Sequence, residues 1–105
     1  MKKRGLKVIT KEHVIEALKN VFDPELHIDV WTLEIIYDIQ IKENNDVYIK
    51  MTFTTPFCPY GPALIKDVET KIKEAGGNEV EVEVVFDPPW KPSDELLDMM
   101  AMGIK

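Results

Sequence analysis

A chain of 105 residues, 45% apolar and 30% charged, has the balance of one globular domain with a modest core, not that of a disordered segment. Its formal charge of −6 argues against nucleic acid as a partner, because phosphate binding rests on clustered Lys and Arg; the one basic cluster, Lys2-Lys3-Arg4, reads as a solvated tail. A single cysteine excludes an intrachain disulfide framework, and neither a membrane-length apolar stretch nor a signal-peptide core is visible, so the expected setting is soluble, reducing and cytoplasmic.

Thr10 reads as the N-cap of a helix over about residues 11–22, with Glu12 in its first turn and Val14, Ile15, Leu18, Val21 and Phe22 on one face. Asp23-Pro24 stops it, since proline disfavours helical geometry in the residue before it. Residues 25–34 show no regular pattern. Strict alternation follows, with Tyr37, Ile39 and Ile41 apolar, then the turn-forming Asn44-Asn45-Asp46, then Val47, Ile49, Met51 and Phe53 apolar. Two period-2 runs around a short polar turn predict an antiparallel hairpin with one buried face.

Pro62 suits the first turn of a second helix, whose stripe is Leu64, Ile65, Val68, Ile72 and Ala75 and whose end is Gly76-Gly77. A third strand places Val80, Val82, Val84 and Phe86 inward and Glu79, Glu81 and Glu83 outward. The proline-rich Asp87-Pro88-Pro89-Trp90-Lys91-Pro92 should run extended. Ser93 can cap a last short helix with Leu96, Leu97 and Met100 facing inward. The expected fold is therefore α+β, a two-layer sandwich in the order α-β-β-α-β with a short C-terminal helix and a three-stranded sheet, mainly antiparallel or mixed. One domain over 1–105 is expected, with its core at about 10–92 and the C-terminal helix and tail at 93–105.

Cys58 is the leading candidate for a functional atom. It lies in Thr54-Thr55-Pro56-Phe57-Cys58-Pro59-Tyr60-Gly61-Pro62, a loop leading from a strand into a helix, where partial positive charge favours thiolate. The bland reading is a small apolar filler. A catalytic cysteine needs a base, and the only histidines are His13, expected to face solvent, and His27, which nothing orients. Asp23 and Glu25 flank Pro24 and read either as helix-stop punctuation or as carboxylates converging on Cys58, a mixed ligand set that suits iron or zinc. One thiolate is too few for a cluster, which would have to be shared with another chain. Thr54 and Thr55 read as strand-end residues or as hydroxyl donors to a thiolate or sulfide. Trp90, held among prolines, is either packed on the sheet edge or a partner-binding anchor.

Taken together, Asp23-Pro24-Glu25, the run from Leu33 to Tyr37, Met51 to Pro59 and Phe86 to Trp90 resemble the iron–sulfur cluster assembly domain family, with its SufT-like, PaaD-like and cytosolic adaptor-like members. The likeness spans about residues 10–92. It implies a non-catalytic maturation factor, a carrier or adaptor that delivers clusters from the assembly machinery to apo-client proteins, with at most a transient cluster shared with another chain. It also implies a polar site made of Asp23, Glu25, Thr54, Thr55 and Cys58, with Leu26 packed beside it. A homodimer that brings two Cys58 thiols together is chemically attractive. Two departures stand out. The family's glycine-containing run reads Thr32-Leu33-Glu34-Ile35 here, so a positive-φ turn would strain Glu34. Phe57 replaces a usually small residue before the cysteine, which narrows access to the thiol or offers a client an apolar contact.

Overall fold

The computed structural model describes residues 8–55 and 59–101, so Phe57 and Cys58 lie outside the described residues. The first helix, α1, spans Lys11–Leu18 and begins in a reciprocal capping box. The Thr10 hydroxyl accepts from the His13 amide at 3.2 Å, and His13 Nδ1 accepts from the Thr10 amide at 3.2 Å. The helix stops about a turn before the expected Asp23-Pro24. Asn20 and Val21 donate to Ala17 and Leu18, tightening the last turn, and the Asn20 side chain binds the Glu16 carbonyl at 3.0 Å. Val21 still reaches the core, but Phe22 has left the helix and is 54% exposed.

The chain then forms β1 (Ile36–Ile41) and β2 (Val47–Met51), paired antiparallel through a tight turn in which Asn44 and Asn45 adopt left-handed φ of 63° and 64°. Asparagine tolerates that region better than other side chains, which explains its placement there. A register shift between Ile36 and Asp38 marks a bulge at Tyr37. Helix α2 (Gly61–Glu74) carries the chain across to β3 (Val80–Val84), which pairs with β2 in parallel. The sheet is thus mixed, in the order β1-β2-β3. Gly76, at φ 119°, closes α2 as expected.

Val47, Ile49 and Met51 of β2 are fully buried beneath Val14 and Leu18 of α1 and Leu64, Val68 and Ile72 of α2. Three expected inward positions differ. Ala75 is exposed, being past the last buried turn of α2. Phe86 is 48% exposed, because the chain leaves the sheet after Val84 and the ring packs edge-on to Phe53. Leu97 is also 48% exposed; in the short helix α3 (Asp94–Ala101) only Leu96 is buried. Ser93 does cap α3, its hydroxyl accepting from the Leu96 amide at 3.2 Å. Between β3 and α3 the chain returns to the start of β1. Tyr37 donates its hydroxyl to the Pro88 carbonyl at 2.9 Å, and Trp90 donates its indole N–H to the Leu33 carbonyl at 2.6 Å. No helix among the described residues is long and apolar enough to cross a membrane.

Candidate functional site

Residues 21–30 fold into a small closed loop built on Asp23. Asp23 N donates to Ile28 O, Val30 N to Val21 O, and Phe22 bridges Asp29. At the tip, Pro24 occupies the corner of a turn, and Asp23 Oδ1 accepts from the Glu25 and Leu26 amides at 2.8 and 3.0 Å. Asp23 is only 4% exposed, so its carboxylate is removed from water and held by backbone donors. The Glu25 side chain stands at the surface and Leu26 is half-buried against the core. His27 adopts φ 60°, donates its amide to Asp23 O at 2.8 Å and is exposed.

The next turn is also carboxylate-built. Asp29 accepts from the Thr32 amide at 2.9 Å and the Thr32 hydroxyl at 2.7 Å. Glu34 closes this turn at φ 64°. The left-handed turn therefore survives the loss of glycine, held by Glu34 N to Trp31 O and by the Trp90 bond to the neighbouring Leu33 carbonyl. Trp90 is half-buried against the core, a strut whose polar edge is already engaged.

At the far side, β2 runs into Thr52, whose amide donates to Ile35 O at 2.9 Å. Thr52 is 1% exposed, and its hydroxyl makes only a 3.5 Å approach to Phe53 O, at the limit of a hydrogen bond. The period-2 alternation puts Thr52 with Tyr48 and Lys50 on the solvent side; the structure buries it instead, because β2 ends at Met51 and the alternation ends with it. Thr54 and Thr55 follow, both half-buried. The two ends of the cysteine loop are clamped together: a Cβ on Gly61 would fall 2.9 Å from the Phe53 ring, so only glycine permits this contact.

Helix α2 begins at this clamp. Its first turn has Pro62 but no side-chain cap and no acidic residue, so no described residue of that turn offsets the partial positive charge there. Between this helix start and the Asp23 loop lies a cleft of about 520 Å³, lined by Phe22, Pro24, Tyr60, Ala63, Leu64 and Asp67, among others. Pro24 sits between Asp23 and Glu25, and Tyr60 is two residues past Cys58. The cleft brings Pro24 near the start of α2, with the exposed rings of Phe22 and Tyr60 on its rim; among the described residues Asp23, Glu25, Thr54 and Thr55 do not line it. Among the described residues no three His, Asp, Glu or Cys side chains form a metal-holding group; Cys58 is not among them.

Residues 11–84 match the family model described as iron–sulfur cluster assembly protein. The chain is 35% identical over 81 residues to the Fe–S protein maturation auxiliary factor YitW of Bacillus subtilis, covering 76% of this chain and 79% of that one. It is 33% identical over 97 residues to an iron–sulfur cluster carrier protein of Synechocystis; the match covers 91% of this chain but 27% of that longer protein. A conserved hypothetical protein of Thermotoga maritima, of known structure, superposes with a TM-score of 0.79 at 49% identity, covering 93% of this chain and 98% of that one.

Proposed function

Because the chain belongs to the iron–sulfur cluster assembly protein family, we propose that it is a cytoplasmic, non-catalytic maturation factor that passes iron–sulfur clusters to apo-proteins. The observation that carries this reading is the family match over residues 11–84, and a cleft in which Pro24 meets the uncapped start of α2 supports it. The names of the Bacillus and Synechocystis relatives, a maturation factor and a carrier, support the same reading.

In this proposal Cys58 supplies the thiolate that meets the cluster, favoured by the helix start beside it. Glu25, on the surface, is the carboxylate free to approach iron. Asp23 shapes the turn that presents Glu25, because its own oxygen already accepts two amides. Thr54 and Thr55 stand at the loop's entrance as hydroxyl donors to sulfur, and Leu26 packs beneath the turn. Phe57 offers a client protein an apolar contact. Trp90 serves partner binding indirectly by fixing the Leu33–Glu34 turn. One thiolate per chain holds a cluster incompletely, so the cluster is cargo shared with a second chain or a client, which suits transfer better than storage.

The test is anaerobic reconstitution of wild type and Cys58→Ser with iron and sulfide, followed by activation of an apo-enzyme that needs a cluster. Wild type is expected to activate the client and the variant to lose most of that delivery. Equal delivery by both would reject the cysteine role. The exposed Phe22, Tyr60 and Phe86 favour a second reading, an adaptor that docks clients without holding metal. That reading requires client binding to survive Cys58→Ser with no metal retained by either protein.

A further inference from the structure

The two edges of the sheet are built differently. Along β1 the bulge at Tyr37 interrupts pairing, Asp38 Oδ1 accepts the outward Ile39 amide at 3.0 Å, and Gln40 donates to Asp38 Oδ2 at 2.8 Å. Bulges and side chains that occupy edge amides are the usual means of blunting an edge. The segment after β3 then crosses to the start of β1 through Tyr37–Pro88 and Trp90–Leu33. Among the described residues the β3 edge has neither a bulge nor a side chain on its outward amides.

The parallel register, with Val47 N donating to Glu79 O and Val85 N to Met51 O, assigns the backbones of Glu79, Glu81, Glu83 and Val85 to β2. The amides and carbonyls of Val80, Val82 and Val84 therefore point away from the sheet, and among the described residues nothing pairs with them. Their side chains are half-exposed on the helix-covered face, whereas the neighbouring Val47, Ile49 and Met51 of β2 are buried. Ile65 of α2, also half-exposed, lies on the flank of that helix turned away from α1, as its helical spacing from Leu64 and Val68 requires. The apolar layer is thus unfinished on this side. On the opposite face Glu79, Glu81 and Glu83 are all exposed, with Glu83 accepting from the Tyr48 hydroxyl of β2.

We propose that the β3 edge receives an extended segment of a partner protein, with Lys or Arg alternating with aliphatic residues, as a fourth strand; this does not depend on the cluster reading. Backbone pairing would come from Val80, Val82 and Val84. Aliphatic side chains would complete the layer beside the valines and Ile65, and basic ones would stand beside Glu81 and Glu83. A second copy is disfavoured as occupant. Antiparallel self-pairing centred on Val82 sets Glu81 against Glu83 of the partner copy, and like charges directly opposite are destabilising.

The test uses the full chain and a nine-residue peptide alternating lysine with valine, against the same peptide with glutamate for lysine. In the free protein the Val80, Val82 and Val84 amides are expected to exchange quickly with solvent at every protein concentration, and to become protected when the lysine peptide is added. Protection without peptide overturns the proposal, whether it depends on concentration (a second copy) or not (this chain's own basic terminus). Val82→Pro removes a donor that β2 does not use, so it should abolish binding with the fold intact. Should that variant fail to fold, Glu81→Lys with Glu83→Lys should weaken the lysine peptide about tenfold and reverse the peptide preference. Equal binding of the two peptides to wild type, or an unchanged preference in the charge-reversed variant, overturns the proposal.

Discussion

At the start of α1, Thr10 and His13 cap one another's backbone and Glu12 adds a carboxylate. At the start of α2 no side chain caps the first turn, no acid stands in it, and the chain enters through Tyr60 and Pro62. Both are exposed helix beginnings in one small domain, yet only one is closed by its own residues. The difference separates a helix start built for stability from one whose described residues leave electropositive backbone unanswered.

The largest effect expected from disturbing this contrast is at the clamp beneath α2. Gly61→Val forces the Phe53 ring aside and should destabilise the protein by about 1–3 kcal/mol, read as a lower urea midpoint at unchanged slope. In the loop that holds Pro24, Asp23→Ala leaves the Glu25 and Leu26 amides without their buried acceptor and should cost about 1–3 kcal/mol, while Asp23→Asn, which keeps an oxygen there, should cost well under half as much. If both substitutions are equally mild, Asp23 does not shape the turn. Opening the closed start by Thr10→Ala should cost about 1 kcal/mol.

Closing the open start is more informative although smaller. Ala63→Glu puts an acid in the first turn of α2, and should stabilise it by about 0.3–1 kcal/mol while slowing alkylation of Cys58 by iodoacetamide. Unchanged alkylation would show that the helix start does not act on the thiol. A control remote from both starts is Tyr48, which donates to Glu83 across the sheet. That hydrogen bond, followed by partial burial and nearby acids, pushes its phenol up to about 12 from 10.0. A folded value raised above the unfolded one means a contribution complete below about pH 10 and lost as pH rises through about 12. Ultraviolet titration should show that late ionisation, and Glu83→Gln should bring it earlier.

Periodicity made the helices, the hairpin and the buried face of β2 legible, because each follows from a repeat of two or of 3.6 residues. The caps at Thr10 and Ser93 and the stop at Gly76 were legible for the same local reason. Phe22, Phe86 and Leu97 were misread because each continues a local apolar pattern after the backbone has changed course. Only tertiary contacts reveal that change. Within the site, the Asp-Pro-Glu segment was visible as a unit, but the inward turn of Asp23 onto two amides was not, since spacing alone does not show which oxygen meets which donor. Cys58 and Phe57, singled out by sequence, lie outside the described residues. The persistence of the turn at Glu34 was hidden too, because its support comes from Trp90, far along the chain.

The parallel alignment of β3 with β2 bears on how the domain forms. The β1–β2 hairpin is joined by a few residues and can assemble early, whereas β3 docks only after the whole stretch from Thr52 to Glu79 has looped round. In a nascent or heat-stressed chain, the outer side of Val47, Ile49 and Met51 is therefore the last surface to find its neighbour, and the first place where misassociation would begin.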